Sequence, residues 1–346
     1  MKVSIITTIY KAEKDLPRLL NSMMEQKSQE LEFFLIDNGS PDRCGEICQE
    51  YAKRDSRFTV CRLEENIGYI RARNYGISHC DADYIGFCDS DDFLEPGGYD
   101  HAIEKIKESD CDLYITAYNK IIDNRAILNK LPLTCGAYCV DQINTCILPQ
   151  AFGHIRRRAP LQGFVWKQIF KKSILFENHI FFLTHLQPYE DRIFNIDVLQ
   201  RCSSVYIDDA PIYNYIVNDL SITAQMQQQI DCNAEWKIIS DLHFEKSKRA
   251  NSAIELEACS NDFFEMLYAL LLKLVKSTLG LFRIHRTLRA TLEPKIIQKY
   301  FLFFSRNNSI KNRIIAFCLN NKFYFLLCLS LRISLRIRNL IKGKEH

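Results

Sequence analysis

Tyr84-Ile85-Gly86-Phe87-Cys88-Asp89-Ser90-Asp91-Asp92 is the stretch from which the fold can be read. A near-apolar run breaks into three carboxylates within four residues, the pattern of a buried parallel strand whose C-terminal end opens into a polar site. If the strand continues past Cys88, Asp89 and Asp91 point the same way, about 7 Å apart at Cα. Two carboxylates so placed can share one hard cation. In open α/β sheets ligands bind outside the carboxyl ends of the strands, so this is where a site is expected. The competing reading is a loop of solvated aspartates capping a helix that begins near Pro96.

Outward from that stretch the first 118 residues alternate between two periods. The β-branched run 3–9, residues 32–36, Phe58–Cys61, the run ending at Asp89 and Asp112–Ala117 predict strands. Leu16, Leu19, Leu20 and Met23 recur at helical spacing, and 41–54, 70–78 and 96–108 predict further helices. Such alternation means a mainly parallel sheet covered by helices. The first strand-helix turn, Thr7-Thr8-Ile9-Tyr10-Lys11, contains no glycine, and no P-loop is present. Dehydrogenases and P-loop NTPases thereby lose their signatures.

Composition narrows the class further. The chain has 346 residues, 47% hydrophobic and 25% charged, enough for one large domain and a second element. Its 14 cysteines lie scattered, mostly in apolar segments and without a CxxC pair, so reduced thiols are expected rather than a zinc site or a disulfide scaffold. The chain runs straight into a strand at Val3, which predicts no export signal. Charge is unevenly spread: of 45 Lys and Arg residues, 16 lie beyond residue 270, together with 2 of the 42 acidic ones. An acidic body therefore carries a basic tail, and with no recognition motif nucleic acid is not expected as a partner.

Four motifs in order carry a family resemblance: Val-Ser-Ile-Ile-Thr-Thr-Ile-Tyr-Lys-Ala-Glu (3–13), Leu-Ile-Asp-Asn-Gly-Ser-Pro-Asp (35–42), Glu-Asn-Ile-Gly-Tyr-Ile-Arg-Ala-Arg-Asn-Tyr-Gly-Ile (65–77) and Phe-Cys-Asp-Ser-Asp-Asp (87–92). Together they resemble glycosyltransferase family 2, of the bacterial surface-polysaccharide and lipopolysaccharide type. Looser likeness continues through Trp166–Ser173, Tyr189-Glu190-Asp191 and Pro211–Tyr215 to Ser221-Ile222-Thr223. The resemblance implies a glycosyltransferase-A fold, a Rossmann-like α/β sheet with a helical C-terminal extension. The expected catalytic domain covers residues 1–225, with a nucleotide-sugar half (1–118) and an acceptor half (119–225), followed by a helical basic region, 226–346.

The implied reaction is an inverting, metal-dependent transfer from a nucleoside diphosphate sugar, first of all a UDP-hexose or UDP-N-acetylhexosamine, to a hydroxyl of a growing, lipid-linked surface glycan. A non-catalytic glycan or nucleotide-sugar binder of the same fold is the alternative. Asp89 and Asp91 would hold Mn2+ or Mg2+ against the diphosphate. Thr8, Tyr10, Glu13, Asp37, Asn38, Arg73 and Ser90 would contact the nucleotide, Arg73 by reaching a phosphate or pinning an aspartate of the metal loop. Asp191 would be the base, with Glu190 orienting the acceptor, and Asp92 and Trp166 would touch sugar. Asn38 departs from the Asp common at that position, which weakens the contact with a base N–H.

Residues 311–342 interleave Ile314, Phe317, Phe323 and Phe325 with Lys322, Arg332 and Arg336. Such a tail suits the membrane interface, each cation near anionic lipid contributing about 1 kcal/mol. The expected location is peripheral, on the cytoplasmic face of the inner membrane. A helix pair packed on the catalytic domain is the bland reading of the same residues.

Overall fold

The computed structural model describes residues 1–155, 160–161, 163–217 and 232–276, with scattered positions between 282 and 332. Two compact units divide the chain. The first comprises Met1–Ala151 and Leu161–Asp219, the second Phe152–Pro160 and Leu220–His346. The expected acceptor half is thus interrupted, because residues 152–155 are bonded into the helical unit. Lys246 Nζ donates to the Phe152 carbonyl (2.8 Å), Asn261 Nδ2 to the His154 carbonyl (2.9 Å), and His154 pairs with Glu265 (2.8 Å).

In the first unit, strands β1 (Val3–Ile9), β2 (Leu31–Asp37), β3 (Phe58–Arg62) and β4 (Tyr84–Asp89) form a parallel ladder in the order β3-β2-β1-β4. The chain winds one way from β1 and then returns to its other side, so the strand order reverses between β1 and β4, where ligands of such sheets bind. Register brings Thr8 opposite Asp89 and Ile9 opposite Asp37 at the carboxyl edge. Helices α1 (Leu16–Met24), α2 (Cys44–Arg54), α3 (Tyr69–His79) and α4 (Gly98–Ser109) are the crossovers. On α1, Leu16, Leu19, Leu20 and Met23 are fully buried, as their spacing requires. Helix α3 lies very close to the sheet: a Cβ on Gly76 would stand 2.5 Å from Ile6 and 3.0 Å from Ile36. Since α3 runs antiparallel to the strands it connects, its first turns reach the carboxyl edge.

Beyond β4 the sheet becomes mixed. After the two-residue β5 (Phe93–Leu94) come β6 (Leu113–Thr116), β7 (Tyr118–Ile122), β8 (Arg125–Asn129), β9 (Gly136–Cys139), β10 (Gln168–Lys171), β11 (Ser204–Asp208) and β12 (Tyr213–Ile216). Strand β10 inserts antiparallel between β4 and β6, completing the order β3-β2-β1-β4-β10-β6-β11-β9. A second sheet, β5-β12-β7-β8, stands beside the acidic loop. Short helices α5 (Val140–Gln142), α6 (Leu148–Phe152), α7 (Lys172–Glu177) and α8 (Glu190–Leu199) complete the unit. The second unit contains α9 (Cys232–Arg249) and α10 (Ala253–Lys276). Among the described residues no helix is long and apolar enough to cross a membrane. Ser221-Ile222-Thr223 and most of the tail 311–342 lie outside the described residues.

Candidate active site

Strand β4 delivers Asp89, α3 delivers Tyr69 and Arg73, and the first turn of α8 delivers Glu190 and Asp191. Tyr69 and Arg73 are four residues apart, on one face of α3. Arg73 joins all three elements: its Nη2 donates to Asp89 Oδ1 (2.6 Å), its Nη1 to Asp191 Oδ1 (3.1 Å), and Glu190 Oε1 lies 3.7 Å away. The Tyr69 hydroxyl donates to Glu190 Oε1 (2.9 Å). Asn74 locks the helix in place by exchanging two 2.9 Å hydrogen bonds with the Phe182 backbone. The guanidinium is sandwiched by the rings of Tyr69 (5.3 Å) and Phe182 (5.7 Å).

Among the described residues one buried cation thus faces three carboxylates, with Asp91 beyond them, and their local charge is negative. Burial opposes the charge on Arg73, but Asp89, Asp191 and Glu190 outweigh it and hold the guanidinium firmly protonated. Burial raises Asp191 to about 7 against the pull of Arg73, with Glu190 and Asp89 adding to the rise. A carboxylate at that value can exchange a proton near neutrality. Its side chain keeps 18% exposure, so a substrate can reach it. The Val165 N–H lies 3.4 Å from Asp191 Oδ2. Burial likewise raises Glu190, whose Oε2 is buried without a hydrogen-bond partner.

Burial pushes Asp91 up to about 6, and the negative charge of Asp89 adds to it. Its carbonyl accepts from Arg18 Nη2 (2.7 Å), which anchors the loop. Among the described residues no three His, Cys, Asp or Glu side chains converge on one point. A cation here would be held by Asp89 and Asp91, with phosphate oxygens and water filling its other positions. That donor set suits Mg2+ or Mn2+, which keep several non-protein ligands, and the surplus negative charge fits it. Asp89 Oδ1 is engaged by Arg73.

Several expected contacts have other tasks. Asp92 is 1% exposed and spends both oxygens on the framework, Oδ2 on the Tyr213 hydroxyl and Oδ1 on the Ile216 N–H (both 2.7 Å), so it pins β12 to the acidic loop rather than touching sugar. Trp166 is 4% exposed, parallel to Phe164 (4.9 Å), Tyr213 (4.5 Å) and Tyr215 (5.7 Å), and edge-on to Tyr118 (4.9 Å). It has no free face for a pyranose. Asp37 is fully buried, accepting from the Ser40 N–H (2.9 Å) and lying 3.4 Å from Arg62 Nε. Asn38, 2% exposed, bonds to Asn66 Oδ1 and the Ile67 N–H (both 3.0 Å). These two hold the loops after β2 and β3 together, and Asp37 Oδ2 is buried without a hydrogen-bond partner among the described residues. Gly39 (φ 65°) permits that closure, since a Cβ there would lie 2.5 Å from the Glu65 carbonyl carbon.

Thr8, partly buried at the end of β1, and Tyr10, 40% exposed, remain open toward the edge. Glu13 is exposed and accepts from the Arg43 N–H (3.2 Å), and Ser90 is partly buried in the acidic turn. Tyr69 and Tyr213 were not among the expected site residues. The Tyr69-Arg73 spacing is a signal the sequence carries, whereas no local pattern marks Tyr213, whose partners Asp89 and Asp92 lie more than 120 residues away.

The sequence of residues 4–159 matches the profile of "Glycosyl transferase family 2". The chain is 27% identical over 251 residues to the "uncharacterized glycosyltransferase EpsJ" of Bacillus subtilis, covering 72% of this chain and 69% of that protein. The "putative glycosyltransferase EpsH" of the same organism is 26% identical, over 66% of this chain and 64% of its own length. The alignments thus span about two thirds of these relatives. The poly(ribitol-phosphate) β-N-acetylglucosaminyltransferase TarP of Staphylococcus aureus is 28% identical over 63% of each chain. Among solved structures, S. aureus TarS 1–349 in complex with UDP aligns with TM-score 0.68 at 18% identity, covering 97% of this chain and 91% of that one. The fold is of the glycosyltransferase-A type, and the relatives that this chain resembles are named glycosyltransferases.

Proposed function

We propose that this transferase is inverting and metal-assisted, moving a sugar from a UDP-hexose or UDP-N-acetylhexosamine to a hydroxyl of a lipid-linked surface glycan. The observation that carries the reading is the single guanidinium of Arg73 holding Asp89 and Asp191 at its two ends. It supports one reaction centre with the diphosphate on the Asp89 side and the acceptor on the Asp191 side. Asp191 takes the proton of the acceptor hydroxyl as that oxygen attacks the anomeric carbon from the face opposite the leaving group. Arg73 keeps the Asp191 carboxylate aimed, and Glu190, fixed by Tyr69, offers its unpartnered oxygen to an acceptor hydroxyl. Asp89 and Asp91 would hold a divalent cation, which would supply neutralisation of the charge that develops on the departing diphosphate. Thr8 and Tyr10 line the nucleotide side. The choice of uridine is supported by TarS, solved with UDP and with UDP-GlcNAc.

The reading includes peripheral contact with the cytoplasmic face of the inner membrane through the basic tail. Phe317, Phe323 and Leu326 in that tail are 45–60% exposed. A donor-hydrolysis screen across nucleotide sugars with Mn2+, Mg2+ or chelator tests base, sugar and metal together. Cleavage of a UDP-sugar that stops on chelation is expected. Metal-independent cleavage, or cleavage only of non-uridine donors, contradicts the proposal. Pelleting of the full chain and of a chain ending at residue 310 with anionic vesicles tests the tail.

A further inference from the structure

Lys167 ends the 3-10 turn Val165–Lys167, immediately before β10. Its side chain is among the largest fully buried ones, at 1% exposure. Among the described residues the ammonium makes no hydrogen bond and no ion pair; its nearest charge-stabilising neighbours are the rings of Tyr118 and Phe164, with centroids 5.8 Å away. Two ring faces at that distance return little of what burying an ammonium costs. Packing does not call for the charge, because a methionine would fill the same space. The carboxylates of the reaction centre do not compensate it either: burial is the one cause of its pKa falling to about 7, with no carboxylate contributing.

The position of the turn says what the ammonium is for. Val165, two residues earlier, presents its N–H to Asp191, so this turn walls the acceptor side of the centre. The Lys167 backbone lies about 4 Å further along the turn, so its side chain starts within the length of one sugar residue from the Val165 N–H. Phe164, on the same stretch, is 40% exposed and covers the ammonium with its ring. Resting on the reading of Asp191 as the acceptor-side base, we propose that Lys167 is an anion receptor for the acceptor. It takes an acidic oxygen group, a phosphodiester or a carboxylate, one sugar unit from the hydroxyl that is glycosylated. The acceptor is then an acidic glycan, and Lys167 is the residue that selects it over a neutral one.

The test uses the full chain and K167M, which keeps volume and removes charge. Thermal shifts are read with UDP and Mn2+ first, then with ribitol 5-phosphate or glucuronate added, and with ribitol or glucose as neutral controls. Wild type is expected to rise by about 2–4 °C with the anionic probes at saturating concentration and not with the neutral ones. K167M should respond to neither while melting no lower than wild type without probes. Equal anion responses in both proteins overturn the proposal, as does a K167M that melts lower alone, which would make the lysine structural. Loss of the UDP response in K167M would assign the ammonium to the donor diphosphate and also overturn it. Absence of any UDP response in wild type would speak against the transferase reading instead, and the anion response would still be scored by itself.

Discussion

Two clusters of buried charge solve opposite problems. In the C-terminal unit Lys246 meets Asp262 (2.5 Å), His243 lies 3.2 Å from the same carboxylate oxygen, and the Phe152 carbonyl takes another lysine proton. Burial lowers the His243 pKa, so the ring is neutral there. In the catalytic unit Arg73 answers Asp89, Glu190 and Asp191 at once, with Asp91 near by. The first cluster ties residues 152–155 to α9 and α10. The second carries surplus negative charge, tolerable where positive charge is to be delivered with a ligand. A buried cluster with more carboxylates than cations anticipates chemistry.

Mutation should separate the two by sign as well as size. Replacing the base with D191N should lower the transfer rate by about 10²–10⁴ while donor affinity, read by calorimetry, stays unchanged. Full activity in that variant would remove Asp191 from the chemistry. Breaking the hub with R73M strands three carboxylates and should cost about 3–5 kcal/mol in denaturant unfolding. D262N, which removes the carboxylate that Lys246 meets, should cost a similar amount yet leave donor affinity as it was.

Lys167 offers a third case, a buried cation with no ion-pair partner among the described residues. Its folded pKa is lowered to about 7 from 10.5. Between those values the unfolded chain holds a proton that the folded chain has released. Stability should therefore climb as pH rises from about 7 toward 10.5, by at most about 1.4 kcal/mol per pH unit. K167M should lose that slope, whereas an identical slope in the variant would mean another group is titrating. The smallest effect reverses sign: D91N should stabilise the ligand-free protein by about 1 kcal/mol by relieving repulsion with Asp89. Removing a charge from the Asp262 cluster can only harm.

The parallel half of the fold was legible because local period and turn chemistry agree there. Strands 3–9 and 84–89 appear at the expected bounds, and α1 buries the four residues its spacing selected. The helix expected at 96–108 starts instead at Gly98, after the left-handed Gly97. What stayed hidden was long-range. Four residues of β10 give no hint that they will insert antiparallel between β4 and β6. The Arg73-Asp191 contact spans 118 residues and leaves no local trace. Asp92 and Trp166 look like ligand contacts in one dimension, because carboxylates and indoles serve sites and frameworks alike. Only their neighbours, Tyr213 and Ile216 in one case and three stacked rings in the other, decide between the two.

The claim that the catalytic cluster awaits positive charge is tested most directly by calorimetry of UDP binding to wild type and D91N, each with and without Mn2+. The account predicts that Mn2+ tightens UDP binding to wild type by at least about tenfold, about 1.4 kcal/mol, and leaves D91N nearly unchanged. UDP affinity indifferent to Mn2+ in wild type, or an equal gain in D91N, would contradict it.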